Sequence, residues 1–224
     1  MTTSSVGRAL ASMGWTKKKI RRVPKGRKAD LRDLYLHNIS EFSPSTVDES
    51  SCDRRVGSRR TGWAPFRVTP TQVAQFQREQ RYQILPAYAV DGIILARVFQ
   101  GSTDSTAFED FIEQLLPLSG KWPQPKSVLV MDNASIHQTE RISQMCYDAG
   151  VKLVYLPLYS PDLNPIEEFF AELKAFFKRN WHIYKGNPKQ GFGNFLEWCI
   201  DVVGPLLTPL TIKNSWVRIL VDQF

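Results

Sequence analysis

The segment SVLVMD, residues 127–132, constrains the fold more than any other. Val128, Leu129, Val130 and Met131 leave no polar face, so a strand made of them must be covered on both sides. That is the habit of strands in a parallel sheet between helical layers. A helical stretch, ASIHQTERISQMCYDAG (134–150), follows and is closed by Gly150, the residue that tolerates the left-handed conformation at a helix end. A second apolar strand, VKLVYLP (151–157), comes next. The first strand ends on a carboxylate, Asp132, which either starts a turn or belongs to a site.

The rest of the chain extends this alternation. Residues 4–14 read as a short helix with Val6, Leu10 and Met13 on one side. KADLRDLYLHNISEF (28–42) reads as a second, with Leu31, Leu34, Tyr35 and Ile39 at helical spacing. STVDESS after Pro44 is a short strand. YQILPAYAV and IILARVF, joined through Asp91-Gly92, form a hairpin. STDSTAFEDFIEQLLPL is a helix capped by Asp104 or Ser105, its stripe made of Phe108, Phe111, Ile112 and Leu115. Pro165 opens a last core helix running through Asn180. Strand, hairpin, helix, strand, helix, strand, helix describes an α/β mixed sheet flanked by helices, antiparallel at first and parallel at its end. The layout resembles the ribonuclease H-like fold.

The formal charge of +7 is unevenly spread. Residues 1–28 carry nine cations (Arg8, Lys17, Lys18, Lys19, Arg21, Arg22, Lys25, Arg27, Lys28) and no acid. The remainder is therefore slightly acidic. Such a head binds polyanions by counterion release, with nucleic acid the first candidate. KKKIRRVPKGRK would equally serve as a solvated tail or a nuclear-import signal, and a nuclear location is the expectation. Arg54, Arg55, Arg59 and Arg60 form a second basic loop. No apolar run approaches the ~18 residues of a membrane helix, and the N-terminus lacks the apolar region of a secretory signal. Cys52, Cys146 and Cys199 stand far apart, which argues against a zinc cage or disulfide framework and fits a reducing compartment.

Three acids fall where such a sheet would gather them. Asp48 is read on the first strand, Asp132 at the end of the strand 127–132, and Glu167 in the first turn of the last core helix. Strand ends and helix starts converge at the carboxyl edge of a parallel sheet. Carboxylates without a Cys or His cluster suit Mg²⁺ or Mn²⁺, and two such ions can drive phosphoryl transfer. Local readings compete with this. Asn164, Pro165 and Glu167 make a capping-box pattern, which local sequence favours over a metal ligand. Asp132 could cap the helix after it, and Asp48 could be a strand-end turn. Glu49, Asp53, Asp104, Asp162, Glu168 and Glu172 read as surface, turn or cap residues, and His137 as a core or polar-rim histidine one turn into its helix.

Taken together, VMDNASIH (130–137) and YLPLYSPDLNPIEEFFAELK (155–174) resemble the DDE transposases of the mariner superfamily. Thirty-four residues separate Asp132 from Glu167, a spacing similar to the family's glutamate branch. VDES (47–50) and the Arg-rich DRRVGSRRTGWAP (53–65) resemble the family's first-acid region. The resemblance implies Asp48, Asp132 and Glu167 as the catalytic, metal-binding triad, Mg²⁺ or Mn²⁺ as cofactor, and Asn133 and His137 as support of the site. It implies cleavage at transposon ends and attack of the freed 3′-hydroxyl on target DNA. Expected partners are double-stranded DNA, at transposon ends and target, and a second copy of the chain.

The resemblance divides the chain into a basic helical remnant of a helix-turn-helix region with its linker (1–45), a ribonuclease H-like catalytic domain (46–182) and a C-terminal helical extension (183–224). Relatives carry a fuller N-terminal DNA-binding region, so truncation is expected. The competing reading is a catalytically silent DNA-binding remnant or host-adopted protein. A third is a ribonuclease H-like nuclease of other nucleic acids.

Overall fold

The structure, a computed structural model, describes residues 3–16, 24–39, 42–57, 63–71 and 81–206. Lys17, Lys18, Lys19, Arg21, Arg22, Arg59 and Arg60, and the C-terminal stretch from residue 207, lie outside the described residues.

Two helices open the chain, α1 (Thr3–Ser12) and α2 (Ala29–Ile39). The α2 stripe is turned from the expected one. Tyr35, Leu36, Ile39 and Arg32 are buried, while Leu31 and Leu34 are exposed. Arg32, buried on the same side, donates to Asp162.

The sheet follows. β1 (Ser45–Val47) and β2 (Ser50–Cys52) are two halves of one interrupted strand, and β3 (Tyr82–Ala89) with β4 (Gly92–Gln100) is the hairpin. Val47 pairs with Ala87 and Ser50 with Ile84, both antiparallel. That shared register puts Asp48 opposite Pro86, which has no N–H to give a ladder, and the ladder opens there. Asp48 therefore lies in the break after β1 and not on the strand. Gly92 starts β4 at φ 117°, a conformation that favours glycine.

α3 (Ser105–Leu115) is capped by Asp104, whose carboxylate accepts from the Ala107 N–H at 2.8 Å. Its expected stripe, Phe108, Phe111, Ile112 and Leu115, is fully buried. β5 (Val128–Met131) is buried along its whole length. The helix expected from Ala134 starts later. Ser135–His137 is a 3-10 turn, and α4 (Glu140–Ala149) begins behind Thr139, whose hydroxyl caps Ile142. Gly150 ends α4 at φ 72°, with its N–H returned to Cys146 and Tyr147 carbonyls. β6 (Lys152–Tyr155) is only partly buried because it forms the edge of the sheet, not its interior.

α5 (Ile166–Gly186) runs past both Asn180 and the boundary expected at 182. α6 (Phe192–Leu206) continues the same core, with Phe192, Phe195, Leu196 and Cys199 buried against α5 residues Phe177 and Tyr184. Residues 183–206 thus pack as part of the body.

The spatial order is β4, β3, the interrupted β1/β2, β5, β6. The hairpin pairs antiparallel with β1 and β2, while β1, β5 and β6 run parallel. Alternation splits the core into two layers. Val128, Val130, Ile84 and Tyr88 pack beneath α2, α5 and α6. Leu129, Met131, Val47 and Leu85 pack beneath α3 and α4. This is the mixed, helix-flanked sheet that the element order predicts.

Candidate active site

β1 and β5 are parallel neighbours with Thr46 beside Val130. Two residues further on, the same register brings Asp48 alongside Asp132. Parallel neighbours lie about 4.8 Å apart, so adjacent strand tips put two carboxylates within strong electrostatic reach. Across from them, Glu167 projects from the first turn of α5. All three line one cavity of about 360 Å³, together with Asn133, Ala134, Asn164 and the loop from Leu156 to Pro161.

Asp48 is held at both oxygens. Its Oδ1 accepts from the Glu49 backbone N–H and its Oδ2 from Asn164 Nδ2, each at 2.8 Å. Burial, and then the charge of Asp132, push its pKa up to about 7 despite the hydrogen bond from Glu49. Glu49 and Glu167 add to the repulsion.

Asp132 behaves oppositely. Its Oδ1 accepts from the Ala134 N–H at 2.9 Å and lies 2.6 Å from His137 Nδ1. The latter contact is close, but it is not aligned as a hydrogen bond, so charge attraction is the better description. The imidazole holds the Asp132 carboxyl below its ordinary value against the opposing effect of burial. Asp132 closes an Asx turn at Ala134 and does not cap α4, a task Thr139 performs.

His137 is fully buried in the 3-10 turn. Its Nε2 is 3.0 Å from Glu49 Oε2, and its ring stacks on Phe108 at 4.2 Å between centroids. Burial opposes a charge on the ring, but Asp132 and Glu49 outweigh it and raise the pKa to about 9. Asn133 donates from Nδ2 to the Leu156 carbonyl and accepts from Gln138 at 3.0 Å, tying the tips of β5 and β6.

The capping box at 164–167 does not form. Pro165 at the helix start has no side chain to cap with, the Asn164 Nδ2 donates to Asp48, and the Glu167 N–H goes to the Asn164 backbone carbonyl. The Asn164 Oδ1 is buried with no partner among the described residues.

Sequence reasoning missed three contributors. Glu49 grips His137, Asn164 grips Asp48, and Asp162 anchors the loop between β6 and α5. Asp162 Oδ2 accepts from Arg27 at 2.6 Å and from Arg32 at 3.0 Å, with Arg32 also 3.3 Å from Oδ1. The VDES and SPDLNP segments contained the signal, but nothing local told their polar residues apart.

The basic residues are not brought together at this cavity. Arg8, Lys25 and Lys28 are exposed, whereas Arg27 is spent on Asp162. Arg55 pairs with Asp53 at 2.5 Å, and the guanidinium of Arg54 lies 5.9 Å from the Tyr184 ring centroid.

The donor set fits a hard divalent cation. Asp48 and Asp132 present carboxylate oxygens side by side, and the unpartnered Asn164 oxygen is a neutral one of the same kind. His137 offsets charge between Asp132 and Glu49, and among the described residues no cation stands beside Asp48. Among the described residues, no group of three or more His, Cys, Asp or Glu side chains lies close enough together to hold a metal ion. The site is two carboxylates set together with a third across the cavity.

No curated protein matches the sequence. Solved structures do match the fold. The Mos1 mariner paired-end complex with Mn superposes at a TM-score of 0.68 and 14% identity, covering 99% of this chain and 70% of that one. A pre-cleavage Mos1 transpososome gives 0.67 and 15%, over 98% and 70%. The Mos1 transposase catalytic domain with raltegravir and Mn gives 0.58 and 12%, over 91% and 97%. At such identities the likeness speaks for the fold. Residues 45–185 carry more: they match the DDE superfamily endonuclease family from β1 to the end of α5, the stretch that supplies all three cavity carboxylates. By that match, this chain belongs to the DDE superfamily endonucleases.

Proposed function

We propose that the chain is the catalytic part of a mariner-type DNA transposase, cutting phosphodiester bonds at transposon ends and joining the freed 3′-hydroxyl to target DNA. The observation that carries this reading is the shared cavity of Asp48, Asp132 and Glu167. The Mos1 structures, described as paired-end and strand-transfer complexes, support double-stranded DNA as the substrate.

Asp48, Asp132 and Glu167 would hold Mg²⁺ or Mn²⁺. When bound, the metal supplies the positive charge that activates an attacking oxygen and stabilises a leaving one. The chain's own residues do the rest. Asn164 and the Glu49 N–H fix both oxygens of Asp48. Ala134 and His137 fix Oδ1 of Asp132. Asn133 keeps the β5 and β6 tips together. The exposed Arg8, Lys25, Lys28 and Arg54, with Lys17, Lys18, Lys19, Arg21, Arg22, Arg59 and Arg60, contact phosphates without reading sequence. Paired cleavage belongs to a homodimer, and the site of action is the nucleus.

Supercoiled plasmid tests this reading. The wild-type protein nicks it with Mn²⁺, a chelator stops the reaction, and Asp132→Asn binds DNA without nicking. Equal nicking by the wild type and Asp132→Asn would overturn the assignment of the site. DNA binding with no metal-dependent nicking by the wild type would identify a silent remnant.

A further inference from the structure

Asp48 and Glu49 are neighbours in sequence with separate destinations. Val47 packs in the α3/α4 layer, and a period of two sends Glu49 to that face and Asp48 to the other. There Glu49 meets His137, the fully buried ring that touches Asp132. One interruption of one strand thus reaches both carboxylates of the strand-tip pair, Asp48 directly and Asp132 through an imidazole.

The imidazole has little freedom. Phe108 stacks on its face, Glu49 Oε2 sits 3.0 Å from Nε2, and the Tyr155 hydroxyl donates to the His137 carbonyl at 3.0 Å. Asp132 has more, for its side chain is 45% exposed and a carboxylate turns through a broad torsional well. The Ala134 N–H and His137 both engage Oδ1. With Oδ1 engaged twice, Oδ2 is the oxygen left for the cavity.

We infer that Glu49 and His137 are positioning residues that fix the rotation of Asp132, so that one chosen oxygen is presented to a divalent cation. Glu49 touches neither substrate nor metal and acts through the ring, as outer-shell carboxylates do behind ligating histidines. The inference rests on Asp132 being a metal-binding carboxylate.

Glu49→Gln is the informative variant, since it keeps shape on a side chain only 25% exposed and removes its charge. Mn²⁺ affinity, read from the electron paramagnetic resonance of free Mn²⁺, should fall about tenfold, the lower end for an outer-shell partner. Metal-free DNA affinity should not change, while the melting temperature of the metal-free protein should fall, because the buried ring loses the carboxylate on its Nε2. Glu49→Asp, with the charge on a shorter arm, should recover part of the Mn²⁺ affinity. An unchanged Mn²⁺ affinity in Glu49→Gln would overturn the inference, and so would a loss that Glu49→Asp does not recover in any part. Asp132→Asn is the control: if it too binds Mn²⁺ like the wild type, the metal-site reading has failed and the role of Glu49 falls with it.

Discussion

The strand tips and the helix start both contribute to the cavity, and they are built differently. Asp48 and Asp132 are tied down before anything binds. Asn164 and a backbone N–H hold the first, Ala134 and His137 the second. Among the described residues, no hydrogen bond or ion pair engages the Glu167 carboxylate, and its N–H simply completes a turn onto the Asn164 carbonyl. The strand tips are therefore a preset pair, while Glu167 is set only as well as its loop and helix are. The difference separates a carboxylate pair able to take a first cation by itself from a third carboxylate that joins it.

The largest expected effect breaks the preset pair. Asp132→Asn should lower metal-dependent cleavage by about 10³-fold, the scale of losing a charge-stabilising group in a catalytic site. Mn²⁺ binding should disappear with it. Glu167→Gln should lower cleavage comparably while Mn²⁺ binding at the strand tips persists, and calorimetry beside a nicking assay separates the two. Equal loss of binding in both variants would erase the distinction.

A smaller effect lies behind Glu167. Arg32 is buried and gives Asp162 two hydrogen bonds. Arg32→Ala should destabilise the protein by about 1–2 kcal/mol, discounted because Asp162 is partly exposed and keeps Arg27. Denaturant unfolding measures this. Cleavage should fall with Mn²⁺ affinity intact, because the loop that leads into α5 is loosened while the strand tips are not.

The smallest effect is on pH dependence. The folded pKa of Asp48, about 7, lies above its ordinary 3.8. Between those values the folded protein keeps a proton that the unfolded chain releases. The stability this gives is complete below about pH 4 and is lost as pH rises towards 7. Metal-free Asp48→Asn should lack this decline, and melting temperatures of both proteins from pH 4 to 8 would reveal it. His137, raised from 6.5 to about 9, contributes stability below pH 6.5 that is lost by pH 9 in both.

Much of the fold was legible because its signals are local. The apolar β5, the four-residue stripe of α3, the Asp104 cap and the Gly150 stop each lie within a few residues of what they act on. The start of α4 was not, since Ala134 to Gln138 reads as helical yet Asp132 and His137 bend it into a 3-10 turn. The site was legible as three carboxylates at converging ends. Its supports were not, because Glu49 reaches His137 across 88 residues, Asn164 reaches Asp48 across 116, and Arg32 reaches Asp162 across 130. The capping-box pattern at 164–167 failed for the same reason: the Asn164 side chain is turned to a distant, charged acceptor, and the Glu167 N–H goes to the Asn164 backbone carbonyl instead of the side-chain oxygen.

The central claim is that the strand-tip carboxylates form a site for a divalent cation, and locating Mn²⁺ tests it most directly. In a Mn²⁺-soaked crystal, anomalous scattering should place an ion about 2.1 Å from carboxylate oxygens of Asp48 and Asp132. An ion bound elsewhere, or no ion at saturating Mn²⁺, would contradict it.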